Sequence, residues 1–252
     1  MAGAMGAFFN RSARHHLVWV GGIALGVLAV LGAFAALAGF FDSDPVRVLP
    51  AQGARRPIAA LYLSGDMGLR FGPNAYTTQA LAAQGIDVVA LRSPTLFRFR
   101  RTRAEVDAIV ANGIRDALAR TRAGQLVLIG QSYGADILET ALADLPQPLR
   151  RRIAGVVLVV PGESVYFRAD PSGLAYRGMP DSIGAATLDR IDWVPVTCIY
   201  GRDEVDSACP EVHLPDARII AMPGGHFLNN DRPALFAQIL AAIRRAVPHA
   251  FA

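Results

Sequence analysis

Leu126-Val127-Leu128-Ile129-Gly130-Gln131-Ser132-Tyr133-Gly134-Ala135-Asp136 decides how the rest of the chain is read. Four apolar residues fit a buried strand, and Ala135 to Ala143 fit a helix, so G-x-S-x-G falls at a strand-to-helix junction. There the flanking glycines permit a sharp turn that lifts a serine hydroxyl above the sheet edge. Ser132 is the candidate nucleophile, and the backbone N–H of Tyr133, opening a helix, is a candidate oxyanion donor. As bare letters the motif arises by chance, and its weight comes from its surroundings.

Outward from this junction, apolar runs and helical patterns alternate. Ile58–Leu63, Ile86–Leu91, Ile153–Val160, Pro195–Tyr200 and Ala217–Ala221 read as further strands. Val106, Ile109, Val110, Ile114 and Leu118 recur at helical spacing, and Pro233–Val247 reads as a closing helix. Strands apolar throughout, alternating with helices, predict an α/β domain over residues 58–252, with a mostly parallel sheet covered by helices on both faces. Residues 161–190 break the rhythm with prolines and glycines, as a lid over a site would.

A serine hydroxyl needs a neighbouring base. In the α/β-hydrolase arrangement the histidine comes last, after the final strand, and the acid lies between serine and histidine. His226, in Met222-Pro223-Gly224-Gly225-His226-Phe227, occupies that place; His213 lies in a polar connection, His249 in the tail, and His15 and His16 near the N-terminus. Ile199-Tyr200-Gly201-Arg202-Asp203-Glu204-Val205-Asp206 offers three acids, Glu204 first by its offset from Gly201, then Asp206 and Asp203. A second oxyanion donor is expected from the backbone of Asp66 or Met67, in the loop after the first strand. The Asp66 carboxylate would disfavour an anionic acyl group and favour an ammonium-bearing one, although an aspartate capping the next helix reads equally well. Nothing in the sequence calls for a metal or cofactor.

Leu17–Phe41 is 25 residues without a charge, enough to cross a hydrocarbon core of roughly 30 Å. Arg11 and Arg14 precede it, and Asp42 and Asp44 follow. The expected organisation is therefore a cytoplasmic N-terminus over 1–16, a single-pass inner-membrane anchor over 17–41 and a periplasmic catalytic domain. Ala36-Leu37-Ala38 could suit a signal peptidase, but the apolar run exceeds a usual signal core, so the segment reads as uncleaved. Residues 42–57, with three prolines, read as a linker whose reach of roughly 22 Å keeps the domain near the bilayer. The formal charge is +4, and beyond the two N-terminal arginines 23 basic residues face 21 acidic ones, which gives no warrant for nucleic-acid binding.

Arg92, Arg98, Arg100, Arg101 and Arg103 cluster around Phe97 and Phe99. Such clusters are commonly solvated faces; beside a bilayer they also suit anionic headgroups, with Arg98 and Arg101 as substrate-binding candidates. Cys198 and Cys209 are the only cysteines. They are expected to pair in an oxidising compartment, the alternative being two free thiols.

The blocks Ser64-Gly65-Asp66, Gly130–Asp136, Cys198-Ile199-Tyr200-Gly201 with Glu204, Asp206, Ser207 and Cys209, and Pro223–Phe227 together resemble the VirJ/AcvB family of bacterial virulence proteins, over about residues 58–242. The chain departs from the family pattern at Met67-Gly68-Leu69, where a second glycine and a tryptophan are usual, and at Phe227, where a second histidine is common. The resemblance implies a periplasmic α/β-hydrolase that cleaves the aminoacyl ester of lysyl- or alanyl-phosphatidylglycerol, with Ser132, His226 and an acid in the Glu204 loop as its catalytic residues. It also implies a phospholipid headgroup as substrate and secretion-system proteins as partners. A general esterase or thioesterase, and a non-catalytic periplasmic binding factor, are the alternative readings.

Overall fold

A computed structural model describes residues 3–174 and 176–251, with side chains from Trp19 onward. Arg11 and Arg14, which carry the orientation argument, and His15 and His16 lie outside the described side chains. The chain divides into two units, residues 1–37 and residues 38–252. The first is taken up by helix α1 (Gly3–Ala38), whose stretch Trp19–Ala38 is long and apolar enough to cross a membrane. The helix ends at Ala38 and Gly39 follows with φ of 89°, three residues short of Phe41, where the apolar run closes.

In the second unit, β1 (Val46–Leu49), β2 (Ile58–Leu63), β3 (Asp87–Leu91), β4 (Gln125–Gln131), β5 (Ile153–Val159), β8 (Val196–Gly201) and β9 (Arg218–Met222) form one sheet in the order β1-β3-β2-β4-β5-β8-β9. All pairings are parallel except β1 against β3. The apolar runs serve two cores at once. In β2, Ala59, Leu61 and Leu63 face one core, while Ile58, Ala60 and Tyr62 face the other. On the first side lie α4 (Arg103–Thr121) and α5 (Tyr133–Leu142), which contribute Val106, Ile114 and Ile137; on the second lie α2 (Gly72–Ala83) and α8 (Arg232–Ala246), which contribute Leu81 and Ile239. Short helices α3 (Ser93–Leu96), α6 (Gln147–Arg150) and α7 (Gly184–Leu188) complete the connections. Helix α4 opens with a capping box, in which the Thr102 hydroxyl accepts from Glu105 N–H and the Glu105 carboxylate accepts from Thr102 N–H.

The expected linker over 42–57 is a correction. Val46–Leu49 pairs along β3, with Val46 opposite Leu91, and Arg92 donates to Asp42 Oδ2 at 2.8 Å and to the Asp44 carbonyl at 3.0 Å. Proline at both ends, Pro45 and Pro50, disguised a four-residue edge strand. The compact unit therefore begins at Ala38, and the flexible reach estimated from composition does not apply.

The excursion after β5 holds a two-stranded ribbon, β6 (Ser164–Val165) with β7 (Ser182–Ile183). Backbone bonds root it against the segment after β3: Arg101 N–H donates to the Phe167 carbonyl and Ala169 N–H to the Phe97 carbonyl, both at 2.9 Å. Cys198 and Cys209 are joined, with Cα atoms 5.6 Å apart.

That bridge closes the loop carrying the candidate acids. Removing it with Cys198→Ser and Cys209→Ser together should cost about 3 kcal/mol and lower the melting temperature of the full chain by roughly 6–12 °C, read by circular dichroism in detergent.

Candidate active site

The turn from β4 into α5 leaves no room for side chains at its glycines. A Cβ on Gly130 would sit 2.5 Å from Ala135 Cα, and one on Gly134 would sit 2.3 Å from the Leu63 carbonyl oxygen. Between them Ser132 adopts φ 52° and ψ −126°, a conformation that costs a non-glycine residue of order 1–3 kcal/mol and persists only where the surroundings enforce it. Ser132 N–H is held by the Val159 carbonyl at 2.8 Å. The next amide, Tyr133 N–H, is the first of α5 and so has no partner within its own helix.

His226 arrives from the loop after β9. Its Nε2 lies 2.8 Å from Ser132 Oγ, and its Nδ1 lies 2.5 Å from Glu204 Oε1. Glu204 is nearly buried, with 7% of its side chain exposed, against 43% for the histidine, so the acid is fixed and the base is open to the site. The two loops are bonded to each other through Arg202 N–H to the Met222 carbonyl and Asp203 N–H to the Gly224 carbonyl. Gly201 makes this approach possible, because a Cβ there would fall 2.2 Å from the Gly225 carbonyl oxygen. Of the three acids expected in this loop, the structure puts Glu204 on the imidazole. Asp206 faces the cavity, and the exposed Asp203 is engaged here through its backbone.

The loop after β2 closes the other side. A Cβ on Gly65 would lie 3.5 Å from Ser132 Cβ, which puts Asp66 and Met67 beside the nucleophile. Asn74 braces this loop by accepting from Tyr62 Oη at 3.0 Å and from Gly65 N–H at 3.3 Å. The Asp66 carboxylate accepts from Tyr176 Oη at 2.9 Å and from Met67 N–H. With the Met67 amide turned to that carboxylate, the Asp66 amide is the better placed of the two candidates for a second oxyanion donor.

These groups line a cavity of about 930 Å³, roofed by the lid residues Tyr166 and Tyr176 and floored by Ser132, Tyr133 and Asp136. Tyr176 stacks between Tyr133 and Tyr166, with ring centroids 6.2 and 5.7 Å away. The wall is acidic: Asp66, Asp136, Glu204, Asp206 and Asp231 line it, against the single cation Arg232. Burial raises the Asp66 carboxyl above the usual carboxylate range, an effect that Asp170 reinforces and that the Tyr176 hydrogen bond and His226 oppose. Burial pushes Asp136 up to about 8, with Asp66 and Asp206 adding to it, although Gly162 N–H donates to Asp136 at 2.8 Å. For His226, burial alone would lower the pKa, but the hydrogen bond and charge of Glu204, helped by Asp136 and Asp66, raise it overall.

Arg98 and Arg101, expected at the substrate, stand elsewhere. Arg98 donates to the Thr95 and Asp42 carbonyls at 3.1 and 2.6 Å, and Arg101 donates twice to the Leu96 carbonyl at 3.0 and 2.8 Å. Fixed backbone acceptors capture both guanidinium groups, and neither lines the cavity. Phe97, expected to alternate with them on the surface, is buried against the Tyr133 ring. Tyr166, Tyr176, Asn74 and Asp136 had no role in the sequence reading, apart from Asp136 as part of the resembling block. His213 pairs with Asp189 on the surface.

A family model described as bacterial virulence protein (VirJ) matches residues 57–247. No curated protein matches the chain by sequence. Among solved structures, a lipase-esterase related protein from Clostridium acetobutylicum superposes with a TM-score of 0.56 at 16% identity, covering 79% of this chain and all of its own, 100%. MenH from S. aureus gives 0.57 at 11% identity, with 80% and 98% covered. Carboxylesterase CesB from Bacillus subtilis gives 0.52 at 14% identity, with 86% and 97% covered. These likenesses show the α/β-hydrolase fold.

The electrostatics of His226 can be read by imidazole NMR. Its midpoint should lie above the roughly 6.5 of an unperturbed imidazole. Glu204→Gln removes the main raising influence and should lower that midpoint, since burial then acts with less opposition.

Proposed function

The chain belongs to the VirJ family of bacterial virulence proteins, and on that premise we propose that it is a membrane-tethered serine hydrolase that removes the aminoacyl group from lysyl- or alanyl-phosphatidylglycerol in the periplasm. The observation that carries the reading is the run Ser132 Oγ to His226 Nε2 at 2.8 Å and His226 Nδ1 to Glu204 at 2.5 Å, set in an acidic cavity.

The chemistry follows from that line of three groups. His226 Nε2 takes the Ser132 proton as Oγ attacks the ester carbonyl, and the new oxyanion is met by Tyr133 N–H with Asp66 N–H. Collapse breaks the bond to the glycerol oxygen of the headgroup, which receives the proton from His226. The aminoacyl group stays on Ser132. A water then gives its proton to His226 and attacks the acyl-enzyme; the amino acid leaves and the proton returns to Ser132 Oγ. Glu204 keeps Nδ1 protonated, so that Nε2 is the basic nitrogen.

The acidic wall bears on substrate choice. Carboxylate charge beside a developing oxyanion opposes it, whereas an ammonium group on the acyl carbon or side chain reverses that effect by pairing with Asp66. An anionic acyl group would meet the same wall unfavourably. Arg232, at the first turn of α8, supplies the one cation that could face the phosphate of the departing headgroup. The periplasmic side is supported by the Cys198–Cys209 bridge, which an oxidising compartment maintains, and by Arg11 and Arg14 preceding the apolar helix.

Full-length protein in mixed micelles should release lysine or alanine from the corresponding lipid, and Ser132→Ala should slow release by at least about 10⁴-fold. Turnover of neutral short-chain esters with none of the aminoacyl lipid would favour a general esterase instead. Asp66→Asn should lower kcat/KM for the aminoacyl lipid by about tenfold to a hundredfold, from the loss of one charged hydrogen bond, and change that for a neutral ester by less than about threefold.

A further inference from the structure

We propose that the sheet edge carrying Ser132 is a docking face that inserts apolar side chains into a phospholipid bilayer, so that the cavity opens onto the lipid surface. This inference concerns binding and stands independently of whether Ser132 is a nucleophile.

The distribution of exposed apolar side chains carries it. From residue 38 onward, the large apolar residues that are more than half exposed among the described residues are Phe41, Phe99, Leu174, Met179, Val205 and Phe227, ranging from 66% for Leu174 to 102% for Val205. Topology puts all six at one edge. Phe99 follows the end of β3, Leu174 and Met179 belong to the lid that follows β5, Val205 follows β8 and Phe227 follows β9. These strands are mutually parallel, so their ends share the edge at which β4 delivers Ser132. Phe41 precedes β1, which runs antiparallel with Val46 opposite Leu91, so it comes to the same edge. Scattered single apolar residues are ordinary on a surface, but confinement to the one sheet edge that also carries the cavity, which Phe227 lines, marks an interaction face.

The occupant is argued from continuity of the chain. Ala38, where the membrane-length helix ends, is buried in the compact unit, and Thr95 Oγ1 donates to the Gly39 carbonyl at 2.9 Å. Arg98 holds the Asp42 carbonyl at 2.6 Å. Thr95 and Arg98 lie just past β3, so residues 38–42 of the compact unit lie at the Ser132 edge. The chain before Ala38 is a helix long and apolar enough to cross a bilayer, so a lipid surface is the occupant within covalent reach of this edge. Exposed Arg168, Arg177 and Arg202 lie on the lid and the β8 loop and form no ion pair among the described residues, which leaves them for headgroup phosphates. Glu204 and Asp206 flank Val205, with Asp203 one position further, so insertion of apolar groups rather than net charge is the main attraction.

The native cysteines are both bridged, so a single introduced cysteine reports one place. Met179→Cys, Val205→Cys and Gly124→Cys would each be labelled with an environment-sensitive fluorophore in the full chain, reconstituted in vesicles of phosphatidylcholine and phosphatidylglycerol. Gly124 is exposed just before β4, at the opposite edge, and a Cβ there meets nothing within 4 Å. The expected result is blue-shifted emission at positions 179 and 205, with quenching by acyl-chain spin labels at least threefold greater than at 124. Emission and quenching at 179 and 205 equal to those at 124 would overturn the proposal and leave the rim to a protein partner.

Discussion

The arrangement depends on one backbone constraint, the left-handed turn at Ser132 between two glycines that admit no side chain. Because a Cβ on Gly134 would strike the Leu63 carbonyl, α5 can start only by pressing against the end of β2, and that contact brings the Gly65–Asp66 loop next to the nucleophile. The same turn points Tyr133 N–H away from the strand ladder while its ring goes down into the core against Phe97. The candidate oxyanion donor, the candidate nucleophile and the aromatic floor of the cavity thus come from Ser132 and Tyr133, with Gly134 admitting the turn. His226 need only be delivered to a position already defined, and the pairing of β8 with β9 does so with Glu204 attached.

A second constraint is electrostatic, and it sets the terms on which the site can work. Five carboxyl groups and one guanidinium line the cavity, so an empty site carries charges that burial disfavours. Part of the strain is relieved by protonation, as the rise of Asp136 to about 8 indicates, and part by the raised pKa of His226. The latter has a direction in pH. In the proposed mechanism the base must be neutral, and an imidazole with a raised pKa remains charged to higher pH, so acid would switch the site off earlier than it would an isolated histidine. A bound cation would compete with that proton by neutralising the same carboxylates. Charge on the substrate and readiness of the base are therefore coupled through Asp66 and Asp136, without any movement of the chain.

What was legible in the sequence follows from which physical signals are local. Apolar runs such as Ile58–Leu63 announced the sheet because both faces of it are buried, and G-x-S-x-G, Gly201 to Glu204 and Gly224-Gly225-His226 announced close backbone approaches by their glycines. The edge strand Val46–Leu49 was missed because it is short, half exposed and flanked by proline. Helix α2 gave no amphipathic pattern, since it buries the polar residues Asn74, Thr77 and Thr78, of which Asn74 braces the loop beside Ser132 and Thr78 bonds back to its own helix. Arg98 and Arg101 were misplaced for a related reason: charge and spacing do not reveal that a guanidinium will find backbone carbonyls before it finds a ligand. Tyr176 carries no local signal, because its meaning comes from Asp66, 110 positions away.

The lid connects these two constraints to the size of the substrate. It is fastened by Phe167 and Ala169 to the segment after β3, by Arg100 to Asp181, and by Tyr176 to Asp66, so its roof over Ser132 is part of the fold. The enclosed volume of about 930 Å³ lies within the range of small-molecule sites and suits a headgroup, whereas acyl chains that each reach half of a roughly 30 Å hydrocarbon core cannot enter. A lipid ester would then have to reach Ser132 with its chains still outside. That demands an edge compatible with lipid and a cavity polar enough to draw the headgroup in, which the proposed docking edge, with exposed apolar side chains from five separate segments, and the acidic wall would supply together.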